Sequence, residues 1–194
     1  MRNKYYDDGS YNYMYSDNYQ VKWGVILHLI RKYSFYKPHI LDLGCGNMPV
    51  RRWLRDDEVA SNTMMEQDEH IVAELKAAHP ADTVYCADLE RFDTAQFAGR
   101  KFNCIIWAGA ESEPTHYFDI ISKYIEVLDI NGILIVDYMA TPPESIGERI
   151  GRNSLAKRLI HMNGCKLILP YISPKQMSRW PKVGERRIEI FRLR

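Results

Sequence analysis

Short apolar runs alternate with amphipathic stretches along this chain. HILDLG (39–44) is a nearly continuous apolar run and reads as a buried strand. SNTMMEQD (61–68), DTVYCADL (82–89), FNCIIWAG (102–109) and GILIVDY (132–138) read as four more strands. The segments around them carry helical spacing. QVKWGVILHLIRKYS (20–34) places Trp23, Ile26, Leu27 and Ile30 on one face, with His28 beside it as a packed or surface residue. Pro49 suits the first turn of a helix and predicts one over 49–56. EHIVAELKAAH (69–79) predicts a helix that Pro80 stops. HYFDIISKYIEVLDI (116–130) predicts an amphipathic helix, with Phe118, Ile121, Ile125 and Leu128 on one side and Asn131-Gly132 as its closing turn. ESIGERIGRNSLAKRLIHMNG (144–164) predicts a helix loosened by Gly147 and Gly151. CKLILPYIS (165–173) and RRIEIFRLR (186–194) are then consecutive strands.

Strands that alternate with helices pair in parallel through right-handed crossovers. The expected fold class is therefore α/β, a doubly wound sheet with helices on both faces and a closing antiparallel hairpin. Ligand is expected at the carboxyl ends of the strands, where the topology switches. Residues 1–20 stand apart. Tyr5, Tyr6, Tyr11, Tyr13, Tyr15 and Tyr19 are too many aromatics for a disordered tail and predict a flap laid against the body, 21–194.

Length and composition add constraints. The 194 residues suit one core, with 46% hydrophobic and 26% charged side chains. No apolar stretch is long enough to span a bilayer. The first residues carry charges and tyrosines where a secretion signal would be apolar, so the expected location is cytoplasmic, with no membrane partner. The four cysteines form no C-x-x-C pair and suggest neither a metal site nor a redox motif. The net charge of +1 conceals a split. Residues 1–148 hold 14 basic and 23 acidic side chains, a net of −9, and residues 149–194 hold 12 and 2, a net of +10. Such a basic end points to an anionic partner, to packing on the acidic remainder, or to a solvated face.

The candidate chemistry lies in the loops after the strands. Gly44-x-Gly46 after the first strand lets a ligand approach bare backbone. Asp42, just before it, is a poor neighbour for a pyrophosphate and a good one for an amino-acid ammonium. Glu66 ends the second strand twenty residues after Gly46, where an acid can accept both ribose hydroxyls. Asp88 ends the third strand, where it can accept from an adenine amine while Leu89 packs on the ring. Acids at three successive strand ends suit a neutral-to-cationic nucleoside with an amino-acid tail.

At these residues the chain resembles the class I S-adenosylmethionine-dependent methyltransferases. ILDLGCG, MMEQDEHIV, ADLERF, FNCIIWAGAESE and YIEVLDINGILIVDY are similar to successive motifs of that family, over roughly residues 20–194. The resemblance implies a Rossmann-like sheet of seven strands, mostly parallel, with a C-terminal antiparallel strand and S-adenosylmethionine across the first four strand ends. It implies Asp42, Gly44, Cys45 and Gly46 on the methionine side, Glu66 and Gln67 at the ribose, and Asp88 and Leu89 at the adenine. It places Trp107, Ala108 and Gly109 beside the sulfonium. The usual third glycine is Met48, which crowds the turn, and the usual acid opening the fourth strand is Asn103. The loop after that strand is not N-P-P-Y, so amide or adenine methylation by that route is not indicated.

Methyl transfer needs in-line positioning more than covalent help. A general base is required only where the acceptor must lose a proton. Glu111, Glu113 and His116 after the fourth strand and Tyr138 after the fifth are the candidates, His116 first because it titrates nearest neutrality. Lys175, Arg179, Lys182, Arg186 and Arg187 around Trp180 could meet a carboxylate, a phosphate or RNA. The leading expectation is methylation of O or N on a small, anionic acceptor. An RNA or tRNA methyltransferase, an aminocarboxypropyl transferase or cyclase, and a non-catalytic binding protein are the rivals.

Overall fold

The structure is a computed structural model that describes residues 17–108, 114–140, 165–172 and 185–194. In chain order the elements are α1 (Asp17–Tyr33), β1 (His39–Leu43), β2 (Ser61–Glu66), α2 (Glu69–Ala78), β3 (Thr83–Cys86), β4 (Phe102–Ala108), α3 (Pro114–Ile125), β5 (Leu128–Ala140), β6 (Cys165–Ile172) and β7 (Glu185–Leu193). The strands form one sheet in the order β3-β2-β1-β4-β5-β7-β6. Neighbours from β3 to β5 are parallel, and β7 runs antiparallel to both β5 and β6. The closing hairpin thus inserts its second strand between β5 and its first. The strand order reverses direction between β1 and β4, which places a crevice at their carboxyl ends.

Alternation along the strands builds two cores. Leu41, Leu43, Ile105, Trp107, Leu134 and Val136 face α3, whose Ile121, Tyr124 and Ile125 are buried against them. Ile40, Cys104, Ile106, Ile133 and Ile135 face the other way, onto Trp23, Ile26 and Ile30 of α1. Trp23 stacks on Trp53 at 4.8 Å between ring centres, which anchors α1 to the segment after β1. α2 is started by Asp68, whose side chain accepts from the backbone N–H groups of His70 and Ile71, and it buries Ile71, Val72 and Leu75. No helix among the described residues is long and apolar enough to cross a membrane.

Two expectations are corrected. The helix expected over 49–56 is a pair of tight 3₁₀ turns, Val50–Trp53 and Asp56–Glu58. Arg51 holds that geometry: its guanidinium pairs with Asp82 at 2.8 Å and with Asp56, and donates to the carbonyl of Leu54. An α-helix would carry those acceptors out of reach. The helix expected over 116–130 stops at Ile125, and Leu128 already begins β5. Asn131-Gly132 does not close a helix but lies inside β5, where it marks a bulge. Asn131 adopts φ 63°, and the pairing jumps from Phe102–Leu128 to Cys104–Ile133. Asn103 stitches this irregularity to its neighbours, accepting from the N–H of His39 and donating to Asp129, both at 3.0 Å. The helix expected over 144–164 and the tyrosines 5–15 lie outside the described residues.

A side chain at position 132 would be intolerable. Its Cβ would lie 2.8 Å from the Asp129 carbonyl oxygen and from Leu128 Cδ1. Gly132→Ala is expected to lower the unfolding free energy by about 1–3 kcal/mol, seen as an earlier urea midpoint at unchanged slope.

Candidate functional site

The site begins where β1 runs out. Gly44 and Gly46 both take left-handed backbone, φ 60° and 58°. That turn leaves amide groups without regular partners, and carboxylates supply them. Asp42 Oδ2 accepts from the N–H of Val50 at 2.8 Å. Glu66 Oε2 accepts from Gly46 at 3.0 Å, while Oε1 accepts from Gln67 at 2.8 Å and Asp68 at 2.9 Å. Glu66 is thereby the clip between the glycine turn and the end of β2. Three backbone donors engage its two oxygens, which leaves one open acceptor position, on Oε2.

The sheet register brings the sequence-identified residues to one edge. Asp42 lies beside Met64 of β2 and Ile106 of β4, Glu66 lies beside Cys86 of β3, and Ala108 lies beside Asp137 of β5. The segment after β3 folds back over the turn: the Leu89 methyl would sit 3.6 Å from a Cβ on Gly44. Tyr124 and Lys123 of α3 hold that segment by donating to the Leu89 carbonyl at 3.2 and 2.6 Å. Asp88 stays partly exposed. Its Oδ1 accepts from the N–H of Glu90 at 2.9 Å, and Arg91 is 3.6 Å from Oδ2. Gln67 is exposed beside Glu66, and its carbonyl accepts from the Cys86 thiol at 3.7 Å.

Other candidates are placed differently. Met48 is buried with Val50 and Leu54 under α1, and its sulfur accepts from Arg52 at 3.3 Å. Trp107 is buried in the core under α3, while Ala108 is partly buried on the α1 side. Cys45 is buried with Ile71 and Leu75, and burial together with the charges of Asp42 and Glu66 pushes its thiol up. His116 lies in the first turn of α3, Tyr19 in the first turn of α1, and Tyr138 near the end of β5. Glu111, Glu113 and Gly109, the tyrosines before 17, and Lys175, Arg179, Trp180 and Lys182 lie outside the described residues. Arg186 and Arg187 are on β7, paired with Met139 and Tyr138.

The structure adds two residues that the sequence reading missed. Lys22 of α1 and Asp137 of β5 form an ion pair of 3.0 Å with both side chains sealed from solvent. A signal existed for each. Lys22 sits four residues before Ile26 on the apolar stripe, and Asp137 is the lone acid of GILIVDY.

The donor set suits a nucleoside with a cationic amino-acid tail. Left-handed glycines offer bare backbone, Glu66 and Asp88 offer acceptor oxygens, and Asp42 places a buried carboxyl group behind the turn. No family model and no curated protein matches the chain by sequence. Solved structures do match by shape. The N-methyltransferase NodS of Bradyrhizobium japonicum, in complex with S-adenosylhomocysteine, superposes with a TM-score of 0.68 at 13% identity, over 94% of this chain and 90% of its own. The magnesium protoporphyrin IX methyltransferase ChlM of Synechocystis, with bound S-adenosylmethionine, gives 0.65 at 15% identity over 91% and 80%. A Streptococcus mutans protein described as a SAM-dependent methyltransferase gives 0.66 at 14% identity over 88% of this chain, which spans only 48% of it. The chain has the class I methyltransferase fold.

Burial pushes Asp42 from 3.8 up to about 7, against the Val50 hydrogen bond and Lys22, which pull it down. Between those values the folded protein keeps a proton that the unfolded chain has released. Raising the pH through that window therefore lowers stability. Asp42→Asn is expected to remove that dependence: its urea midpoint falls less than the wild type's between about pH 4.5 and about pH 7.5.

Proposed function

We propose that this protein is an S-adenosylmethionine-dependent methyltransferase acting on an O or N atom of a small, anionic acceptor. The observation that carries the reading is the row of acids at successive strand ends, Asp42, Glu66 and Asp88, around a left-handed glycine turn. Gly44, Cys45 and Gly46 would meet the amino-acid tail with backbone alone. Glu66 would take a ribose hydroxyl on its open Oε2 position. Asp88 would accept from the adenine amine, with Leu89 against the ring. The cofactor supplies an electrophilic methyl group when bound. The chain's part is to align it with the acceptor and exclude water. Where the acceptor must lose a proton, His116, Glu111 and Tyr138 are the leading candidates, in the segments that follow or end β4 and β5.

A small acceptor is favoured by the magnesium protoporphyrin IX methyltransferase among the structural neighbours, whose named substrate is a small molecule. An anionic one is favoured by charge. β7 is antiparallel, so its first residues return to the carboxyl end of β5, and Arg186 and Arg187 arrive there opposite Met139 and Tyr138. The edge of the sheet is therefore acidic on the β1–β3 side and gains arginines at β7.

The test is a cell extract incubated with methyl-labelled S-adenosylmethionine and the protein. Label is expected in small molecules retained by an anion exchanger. Label in RNA would favour the nucleic-acid rival, and accumulation of methylthioadenosine would favour aminocarboxypropyl transfer. Asp88→Ala is expected to weaken S-adenosylhomocysteine binding by about ten- to a hundredfold in calorimetry. Its unfolding midpoint is expected to stay near the wild type's, because the side chain is half exposed. Unchanged affinity would sink the adenine assignment.

A further inference from the structure

Helix α1 carries a lysine where its stripe should be apolar. Lys22 is 1% exposed and Asp137 is fully buried, with Nζ 3.0 Å from Asp137 Oδ2. Asp137 pairs along the sheet with Ala108 of β4 and Ile188 of β7. Asp42 lies on β1, on the other side of β4. Both carboxylates belong to the face that α1 covers. The residues paired with or two places before them, Ile40, Ile106, Ile135 and Ile188, share one cluster with Ile26 and Ile30. Strands spaced at about 4.8 Å put β1 and β5 about 10 Å apart. A lysine from the helix above can act on both. Lys22 contacts Asp137 and also acts on Asp42 through space.

The groups around Asp42 are few. Cys45 faces it from the glycine turn and Cys104 from β4, and burial pushes both thiols up so that neither contributes charge. Its partner on β2 is the apolar Met64, with the carboxylate of Glu66 one step toward the strand end. Val50 donates one hydrogen bond. Among the described residues, Lys22 is the cation that acts on it. One buried cation therefore faces two buried carboxylates. With all three ionised, the cluster is one positive charge short of neutral in apolar surroundings.

We propose that Lys22 is a positioning residue of the site, shared between Asp137 and Asp42, and that its division between them sets whether Asp42 holds a proton or is ready for a cationic ligand group. The ligand part of this statement rests on the cofactor reading above; the proton part stands without it. Removing the lysine takes away the cation that, among the described residues, acts on Asp42. Removing Asp137 takes the anion in direct contact with Lys22 out of the cluster, so less of the lysine's charge is offset at Asp42. The two substitutions break the same ion pair yet move Asp42 in opposite directions. A pair that only seats α1 would leave the Asp42 midpoint where it is in both variants.

The test is a carboxyl-carbon NMR titration of the ligand-free protein, with the Asp42 signal assigned by its loss in Asp42→Asn. Lys22→Met is expected to raise the Asp42 midpoint by about one pH unit or more, and Asp137→Asn to lower it by a similar amount. Shifts of the same sign, or none, overturn the proposal. Lys22→Met strands a buried carboxylate and can fail to fold. The double variant Lys22→Met/Asp137→Asn then replaces it, and its Asp42 midpoint is again expected above the wild type's; a midpoint at or below it overturns the proposal. Failure to bind S-adenosylmethionine would remove the proposed function and leave this titration unaffected.

Discussion

Backbone amides at the end of β1 must find acceptors, and this single demand organises the whole edge of the sheet. A strand that stops in two left-handed glycines exposes N–H groups that no ladder can satisfy. Glu66 supplies an acceptor to Gly46 from the neighbouring β2, and Asp42, on β1 itself, supplies one to Val50 farther along. The glycine turn is therefore clipped by Glu66 at Gly46, and Asp42 fixes the segment that follows it at Val50. In the proposed reading this edge meets the cofactor, and a turn already ordered by its own side chains lowers the cost of binding.

That arrangement has a consequence for charge. Asp42 is sealed under α1, and a buried carboxylate is tolerated only with a proton or a cation nearby. Lys22 supplies part of the compensation, but its direct contact is Asp137. The pair also joins the first helix to the end of the fifth strand, across 115 positions of sequence. α1 is thus fixed over the carboxyl ends of β1 and β5 by both its apolar stripe and a buried ion pair.

The departures from regular structure are concentrated beside this edge or opposite it. Near the site, Arg51 draws the segment after β1 into 3₁₀ turns through Asp82 and the Leu54 carbonyl. At the far end, Asn131-Gly132 and Asn103 absorb extra residues at the start of β5, so that the remainder of the strand pairs in register up to Asp137 and Tyr138. The irregularity at one end of β5 keeps the other end aligned with β4, where the candidate chemistry lies.

The order of strands and helices was legible because period-2 and period-3.6 patterns are local properties of the chain. So were Asp42, Glu66 and Asp88, since acids that end apolar runs are visible as such. The helix expected after β1 and the long one expected before β5 failed because local propensity lost to distant partners: Arg51 meets Asp82, and Leu128 meets Phe102. The sequence position of Met48 says nothing about which way its side chain turns. The sequence by itself determined the α/β class, the parallel order up to β5 and the acids at the strand ends. Only the tertiary structure decided that β7 enters between β5 and β6, that Glu66 is engaged by three amides, and that Lys22 meets Asp137. Those facts depend on residues far apart in the chain meeting in a low-dielectric interior, and no local pattern encodes which distant charge will be the partner.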